Sequence, residues 1–320
     1  MRSLLILWFL ILFCSCAKKP SEEVAEAIDI ALTYLSDNKC EDAIEILEDV
    51  DNDSDDAVYL QVLSSAYACK AGYSDISFIE DDIEAIDTDY LFASLSILSL
   101  STETEVESDD FESMGYAINL LLNVDSAQPS QVNREALFGT RKGGDVGFQL
   151  LLMSITQLGK YLHFYGDVGA TGAKGGGSGT NTCFVEYTYG PANTFVDNAG
   201  GVCDTVVAGD GHPDLSFADL TVARRRMCQG LMLITNIMDI LENMTLPTNS
   251  SVASLSDIAS SVATLKSSVT TLDPALSTLI ETTSQDECED LVNNDVNEWN
   301  NLQYIFAIVF DGGLTVGVPP

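Results

Sequence analysis

The sequence predicts an all-α protein: helix hairpins first, then a helical bundle interrupted by a glycine-rich insertion with a small β-hairpin. Apolar residues recur at steps of three and four over most of the chain, the period of one helix face. Between Gly166 and Pro213 that period breaks, and glycines, turn residues and a short alternation replace it. Cysteine spacing adds staples within each region.

The first element is not part of the fold. Met1 and Arg2 precede an unbroken apolar run from Leu4 to Phe13, the charged start and short apolar core of an export signal. A membrane-spanning helix needs about 20 apolar residues, so the run is too short to be one. Small Ser15 directly precedes Cys16, which favours cleavage there; residues 1–15 read as signal peptide and 16–20 as a linker.

Leu12-Phe13-Cys14-Ser15-Cys16 resembles the lipobox of bacterial lipoproteins, with Phe13 and Cys14 departing from the family pattern upstream. The resemblance implies a diacylglyceryl group on the Cys16 thiol and a place in the bacterial cell envelope. Ala17, where some members carry aspartate, implies the outer membrane, with either face open. An ordinary secreted protein cut nearby is the alternative.

Residues 21–128 read as consecutive helices. Val24, Ala27, Ile28, Ala31, Leu32 and Leu35 fall on one face, with Glu22 and Glu23 in the first turn where the helix dipole favours them. A shorter helix carries Ala43, Ile44, Ile46 and Leu47; after an acidic turn at 51–56, a third spans Ala57 to Ala71. Ala31 and Tyr34, then Ala43 and Leu47, resemble a tetratricopeptide repeat, in which small residues let paired helices approach and the aromatic fills the space between them. Val50 and Asp55 depart from that pattern, and beyond a degenerate second unit only the helix-pair rhythm continues. A generic array of α-hairpins is the alternative.

Residues 129–320 read as a bundle around the insertion at 166–213. One helix runs from about 145 to 165, another from Phe217 to Met244; a third follows the Val252 to Leu272 spacing and a fourth runs from Cys288 to Phe310. Within the insertion, FVEYTY and TFV flank the turn residues 190–193, the pattern of a β-hairpin. The tail LTVGVPP is either a short strand or loose.

The chain carries a formal net charge of −35 over 320 residues. Nucleic acid and anionic lipid surfaces are therefore excluded as direct partners, because both repel it. Residues 21–128 hold 28 Asp and Glu against Lys39 and Lys70 alone, so the two regions differ in electrostatic character. Six cysteines remain after Cys14 and Cys16. In an exported chain they predict disulfides, and sequential pairing, Cys40 with Cys69, Cys183 with Cys203 and Cys228 with Cys288, is preferred because turns lie midway between the first two pairs.

Candidate sites resolve mostly into structure. GATGAKGGGSGT lacks the glycine before and the hydroxyl after its lysine that a phosphate loop requires, and reads as flexible loop. DVDNDSDD lacks the glycine and glutamate of a calcium loop, and GDGHPD is only a minor candidate for calcium. Close cysteine pairs of zinc type are absent. His163 and His212 flank the insertion and can approach each other near Asp167 and Asp210 as a metal or pH-sensitive pair, or stand as ordinary loop-edge histidines. Arg224-Arg225-Arg226, the one basic cluster after the linker, either faces a partner or docks the acidic region; the apolar run Tyr304 to Phe310 reads as core.

No nucleophile and base pair can be named, and no cofactor or metal is expected. The expectation is a non-enzymatic, membrane-anchored scaffold that binds envelope proteins with basic or mixed surfaces through its helical-repeat face. The alternatives are a ligand-binding or transport-accessory lipoprotein with an apolar pocket lined by Tyr161 and Phe164, and a surface-contact lipoprotein using the 166–213 segment.

Overall fold

The computed structural model describes residues 20–50, 56–87, 90–101, 106, 108–122, 129–172, 174–177, 182–199, 211–216, 219–244 and 253–311. Among them every regular element is helical and there is no strand. The signal peptide, Cys16 and the tail at 312–320 lie outside the described residues.

The first helices are α1 (Pro20–Ser36), α2 (Cys40–Glu48) and α3 (Ala57–Lys70). Helix α1 buries Val24, Ala27, Ile28 and Ala31, while Leu32 of the expected stripe stays half exposed. It stops at Asn38, whose φ of 58° is one that asparagine tolerates. The Lys39 and Asn38 amides then close on the Tyr34 and Leu35 carbonyls at 2.9 and 3.0 Å, the Schellman arrangement that satisfies the last turn. Gly72, φ 75°, ends α3 in the same way.

Asp56 caps α3 by accepting from the Val58 and Tyr59 amides. This helix is buried on nearly every side, so it lies inside the molecule, packed on α1, α2, α5 (Asp109–Leu122) and α7 (Thr140–Tyr165). Between α3 and α5, irregular turns at 75–85 lead to the short α4 (Leu91–Ser96), all six of whose residues are buried. Helix α6 (Gln131–Phe138) makes a tight hairpin with α7: a Cβ on Gly143 would stand 2.6 Å from Glu135 Cα, so only glycine permits that approach.

Helix α7 is the axis. It packs on α3, α4 and α5 from the first region and on α6 and α9 (Leu220–Asn243) from the second. Gly230 of α9 brings the two backbones together beneath the Tyr161 ring. Buried apolar residues form one cluster running from Val24 to Phe310, across the change in composition near residue 128.

Two expected helices differ in extent. The one expected from about 145 begins at Thr140, and the one expected over 288–310 is broken into α12 (Gln285–Asn294) and α13 (Val296–Phe306). Asp295 causes the break: its backbone is extended and its carboxylate accepts from the Asn297 amide, capping a new helix. Before them come α10 (Ala253–Leu272), burying Leu255, Ile258, Val262, Leu265 and Val269, and the short α11 (Ser277–Glu281).

The β-hairpin expected around 190–193 is not formed. Residues 190–199 make α8 (Gly190–Ala199), with Pro191 in the first turn, where its missing N–H costs nothing. The segment before it needs no strand partner because side chains take its amides. Gln303 Oε1 accepts from Thr188 and Tyr189 at 2.9 and 3.1 Å, and the Asp311 carboxylate accepts from Phe184 at 3.1 Å.

The described parts of the glycine-rich segment are packed, which the loop reading did not foresee. Lys174 is buried and paired with Asp311, and Cys183, Phe184, Val185, Tyr187 and Val196 are buried with it.

Cys40 is bonded to Cys69, and Cys228 to Cys288, with Cα separations of 5.6 and 5.8 Å. Cys183 is also disulfide-bonded, while its expected partner Cys203 lies outside the described residues. On the chain-entropy view, loops of these sizes stabilise by roughly 3.5 to 4 kcal/mol each.

Candidate functional site

The residues singled out from the sequence are scattered. Ala31, Ala43 and Leu47 are fully buried where α1, α2 and α3 meet, and Tyr34 is half-buried beneath the Lys39 ammonium. His163 Nδ1 lies 3.0 Å from the Ser96 carbonyl. His212 goes elsewhere: its ring packs on Phe164 and Tyr165, and its Nδ1 accepts from the Asp214 amide. Burial lowers the His212 pKa from its usual value, with the Asp214 and Asp167 carboxylates opposing. Among the described residues there is no group of three or more metal-ligating side chains. Residues 51–55 and Asp210 lie outside them.

The arginine cluster splits three ways, as successive helical positions require. Arg224 stacks on Trp299 and donates to Asn293 Oδ1, so it stays within the second region. Arg225 is exposed and Arg226 is buried, and both line a cleft whose opposite wall is α5 of the acidic region.

That cleft, about 650 Å³, is the candidate site. Helix α5 contributes Glu112, Gly115 and Ile118; α7 contributes Ser154 and Gln157; α9 contributes Gln229, Leu233 and Asn236 beside the arginines. Residues 283–286, leading into α12, close one side. The expected apolar pocket around Tyr161 and Phe164 is absent from this seam: Tyr161 is fully buried, its hydroxyl donating to the Arg226 carbonyl, and Phe164 lies against His212.

Three polar side chains of the cleft are almost completely buried: Ser154, Gln157 and Asn236, at 0, 1 and 2% exposure. The amides have a fixed orientation. Gln157 Nε2 donates to the Phe111 carbonyl at 3.0 Å, and Asn236 Nδ2 donates to the Met232 and Thr283 carbonyls at 2.8 and 3.0 Å. A carbonyl oxygen only accepts, so the nitrogens must face these partners and the oxygens must face away. Gln157 Oε1, Asn236 Oδ1 and Ser154 Oγ are left buried with no hydrogen-bond partner among the described residues. An unmade buried hydrogen bond costs about 1–3 kcal/mol, so three in one cleft are an expensive arrangement unless something donates to them.

Among the described residues no base is hydrogen-bonded to Ser154 Oγ. Sequence reading missed all three residues. Their signal was present as polar residues inside apolar helix runs, LLMSITQL around Ser154 and Gln157 and LMLITNIM around Asn236. Such residues are often satisfied by their own helix, as Thr156 is by the Leu152 carbonyl, so only the folded geometry separates the unpaired ones.

Comparison with protein-family models, with curated proteins and with solved structures returned no match.

Proposed function

We propose that this chain is an exported, non-enzymatic binding protein, anchored to a bacterial outer membrane through lipid on Cys16, that holds a small polar ligand in the cleft between α5, α7 and α9. The observation that carries this reading is a space of ligand size lined by three buried polar side chains whose oxygens have no hydrogen-bond partner among the described residues. The anchor rests on the lipobox resemblance of Leu12 to Cys16, and no described helix is long and apolar enough to cross a membrane. Gly115 provides the test. A Cβ placed there meets only Gln157 Nε2, at 4.0 Å, so a larger side chain enters the cleft without striking backbone. A chemically sorted panel of small polar compounds should contain some that raise the melting temperature of the wild-type chain and do not raise that of Gly115→Met. A panel acting equally on both proteins would reject the cleft.

A second reading, the protein-binding scaffold, is favoured by the exposed acid of α1 and α2. Glu22, Glu23, Glu26, Asp29, Glu41 and Glu45 all face solvent on helices whose paired packing at Ala31, Ala43 and Leu47 is compatible with a tetratricopeptide-like hairpin. A partner there has a basic or mixed surface. Crosslinking purification from the native envelope that captures a stoichiometric protein, lost on reversing the charge of Glu41 and Glu45, would favour this reading.

A further inference from the structure

The bonded cysteines differ in access. Cys228 and Cys288 are 0% exposed and Cys183 is 1% exposed, so an incoming thiol reaches none of them without opening the core. Cys40 and Cys69 are only half-buried, one at the start of α2 and the other near the end of α3. A disulfide exchanges when a thiolate attacks one of its sulfurs, so access separates the bonds that exchange from those that do not.

Charge points to the same bond. An attacking thiolate is an anion, and the net charge of −35 repels it from most of this molecule. Residues 21–128 contain two basic side chains, Lys39 and Lys70, and each is the chain neighbour of one of these cysteines. Lys70 is exposed; Lys39 keeps about half of its side chain in solvent while pairing with Asp37 at 3.6 Å. Glu41 and Asp42, in the first turn of α2, oppose them. The reduced form also has acceptors at hand. Asn38 Oδ1 lies 3.8 Å from Cys69 Sγ, and the Asn38 carbonyl oxygen lies 3.8 Å from Cys40 Sγ, so both thiols would find an oxygen with little movement.

Opening this bond releases one end of α2. The far end stays fixed, because Leu47 is fully buried, its carbonyl accepts from the Tyr59 hydroxyl at 2.8 Å, and Glu48 accepts from the Tyr67 hydroxyl at 2.5 Å. The near end has less to hold it. Lys39, at the cap position, gives the first turn no side-chain acceptor, and the Asn38, Lys39 and Ala43 amides bond only within the turn that the disulfide closes.

We propose that Cys40–Cys69 is an exchangeable disulfide, a redox latch on the turn between α1 and α2 that a dithiol opens, while Cys228–Cys288 is a permanent staple. A thiolate of the dithiol attacks one sulfur of the bond and forms a mixed disulfide; the other cysteine leaves as a thiolate and takes up a proton. The second sulfur of the dithiol, having given its proton to solvent, then displaces the remaining cysteine. The reductant departs as a disulfide, oxidised by two electrons, and Cys40 and Cys69 become two thiols. None of these residues lines the cleft, so the latch stands or falls apart from any ligand bound there.

The experiment is timed reduction of the full chain by dithiothreitol in native buffer near neutral pH, with N-ethylmaleimide trapping and peptide mapping. Cys40 and Cys69 should be labelled together, about tenfold or more faster than Cys228 and Cys288, with the helical circular dichroism unchanged. Hydrogen exchange of this partly reduced protein should accelerate at the Asn38, Lys39 and Ala43 amides and stay unchanged in α7 and α9. The double variant Cys40→Ser with Cys69→Ser should show the same fast exchange at the turn with no reductant present. Replacing both lysines, Lys39→Gln with Lys70→Gln, should slow opening by mercaptoethanesulfonate at low salt by roughly threefold or more, and opening by mercaptoethanol, whose thiolate carries one charge fewer, by less.

Equal rates at the two bonds, or opening of Cys40–Cys69 only together with global loss of structure, would overturn the exchangeable assignment. Opening with no acceleration at the turn would overturn the latch. An equal response of the two monothiols to the lysine substitutions would overturn the electrostatic steering.

Discussion

Asp311 closes the last described turn of helix, and its carboxylate is asked to do several things at once. It pairs with the buried Lys174 ammonium, accepts from the Phe184 amide and accepts from the Tyr187 hydroxyl, whose pKa burial and this carboxylate hold well above its usual value. Removing one member of a buried pair leaves the other charge uncompensated. Asp311→Ala is therefore expected to lose about 3–5 kcal/mol in denaturant unfolding. Asp311→Asn, which keeps an acceptor, should lose less; an unchanged midpoint for Asp311→Ala would remove this carboxylate from the account. His212 gives a second prediction. Its folded pKa lies below the unfolded value of 6.5, so below pH 6.5 the unfolded chain binds a proton that the folded chain resists. Stability should fall as pH drops from 6.5 toward the folded pKa, and His212→Gln should flatten that part of a melting profile. Neither role was legible in the sequence. Asp311 stands in a stretch that reads as the end of an apolar run, and Lys174 as one charge in a flexible glycine loop, because pairing across 137 residues leaves no local pattern.

At the scale of elements, legibility followed locality. The stripes of α1, α2 and α10 could be read because the residues that bury them are fixed by helical period, and the acidic run before Ala57 was read as a turn that Asp56 in fact ends as a cap. The region around 184–199 was misread for a physical reason. Short alternation identifies a strand only if neighbouring backbone takes its hydrogen bonds, and here Gln303 and Asp311 take them instead. Likewise, the break between α12 and α13 depends on one capping carboxylate, Asp295, that apolar periodicity does not register. The disulfides are a case where spacing reached further. Cys40 and Cys69 fall level because α2 and α3 pack against each other, and the bond joins Cys40 at the start of α2 to Cys69 near the end of α3. The double variant Cys40→Ser with Cys69→Ser should lose roughly 3.5 kcal/mol on the chain-entropy view. Wild type under reducing conditions should lose at least as much, since Cys228–Cys288 opens as well.

For the whole molecule, the change in composition near residue 128 raises the question of whether the acidic region and the bundle are separate cooperative units. The aromatic contacts argue that they are one. Phe310 stacks on Phe306 at 4.3 Å, and its ring also lies 5.3 Å from Phe184, 5.7 Å from Phe92 and 6.0 Å from Tyr161. One side chain near the end of the fold thus touches α4 of the first region, the glycine-rich segment and the central α7. The cleft lies on the same seam, so its geometry depends on the two regions holding together. Phe310→Ala should cost about 3–5 kcal/mol as a buried aromatic truncation. If the regions form one unit, hydrogen exchange in the variant should accelerate by a common factor at the slowest amides of α3, α7 and α9, because all of them then exchange through the same global opening. Loss of protection confined to residues beyond 129, with α3 unchanged, would instead mean that the acidic helices fold by themselves and that the cleft opens between two independently stable bodies.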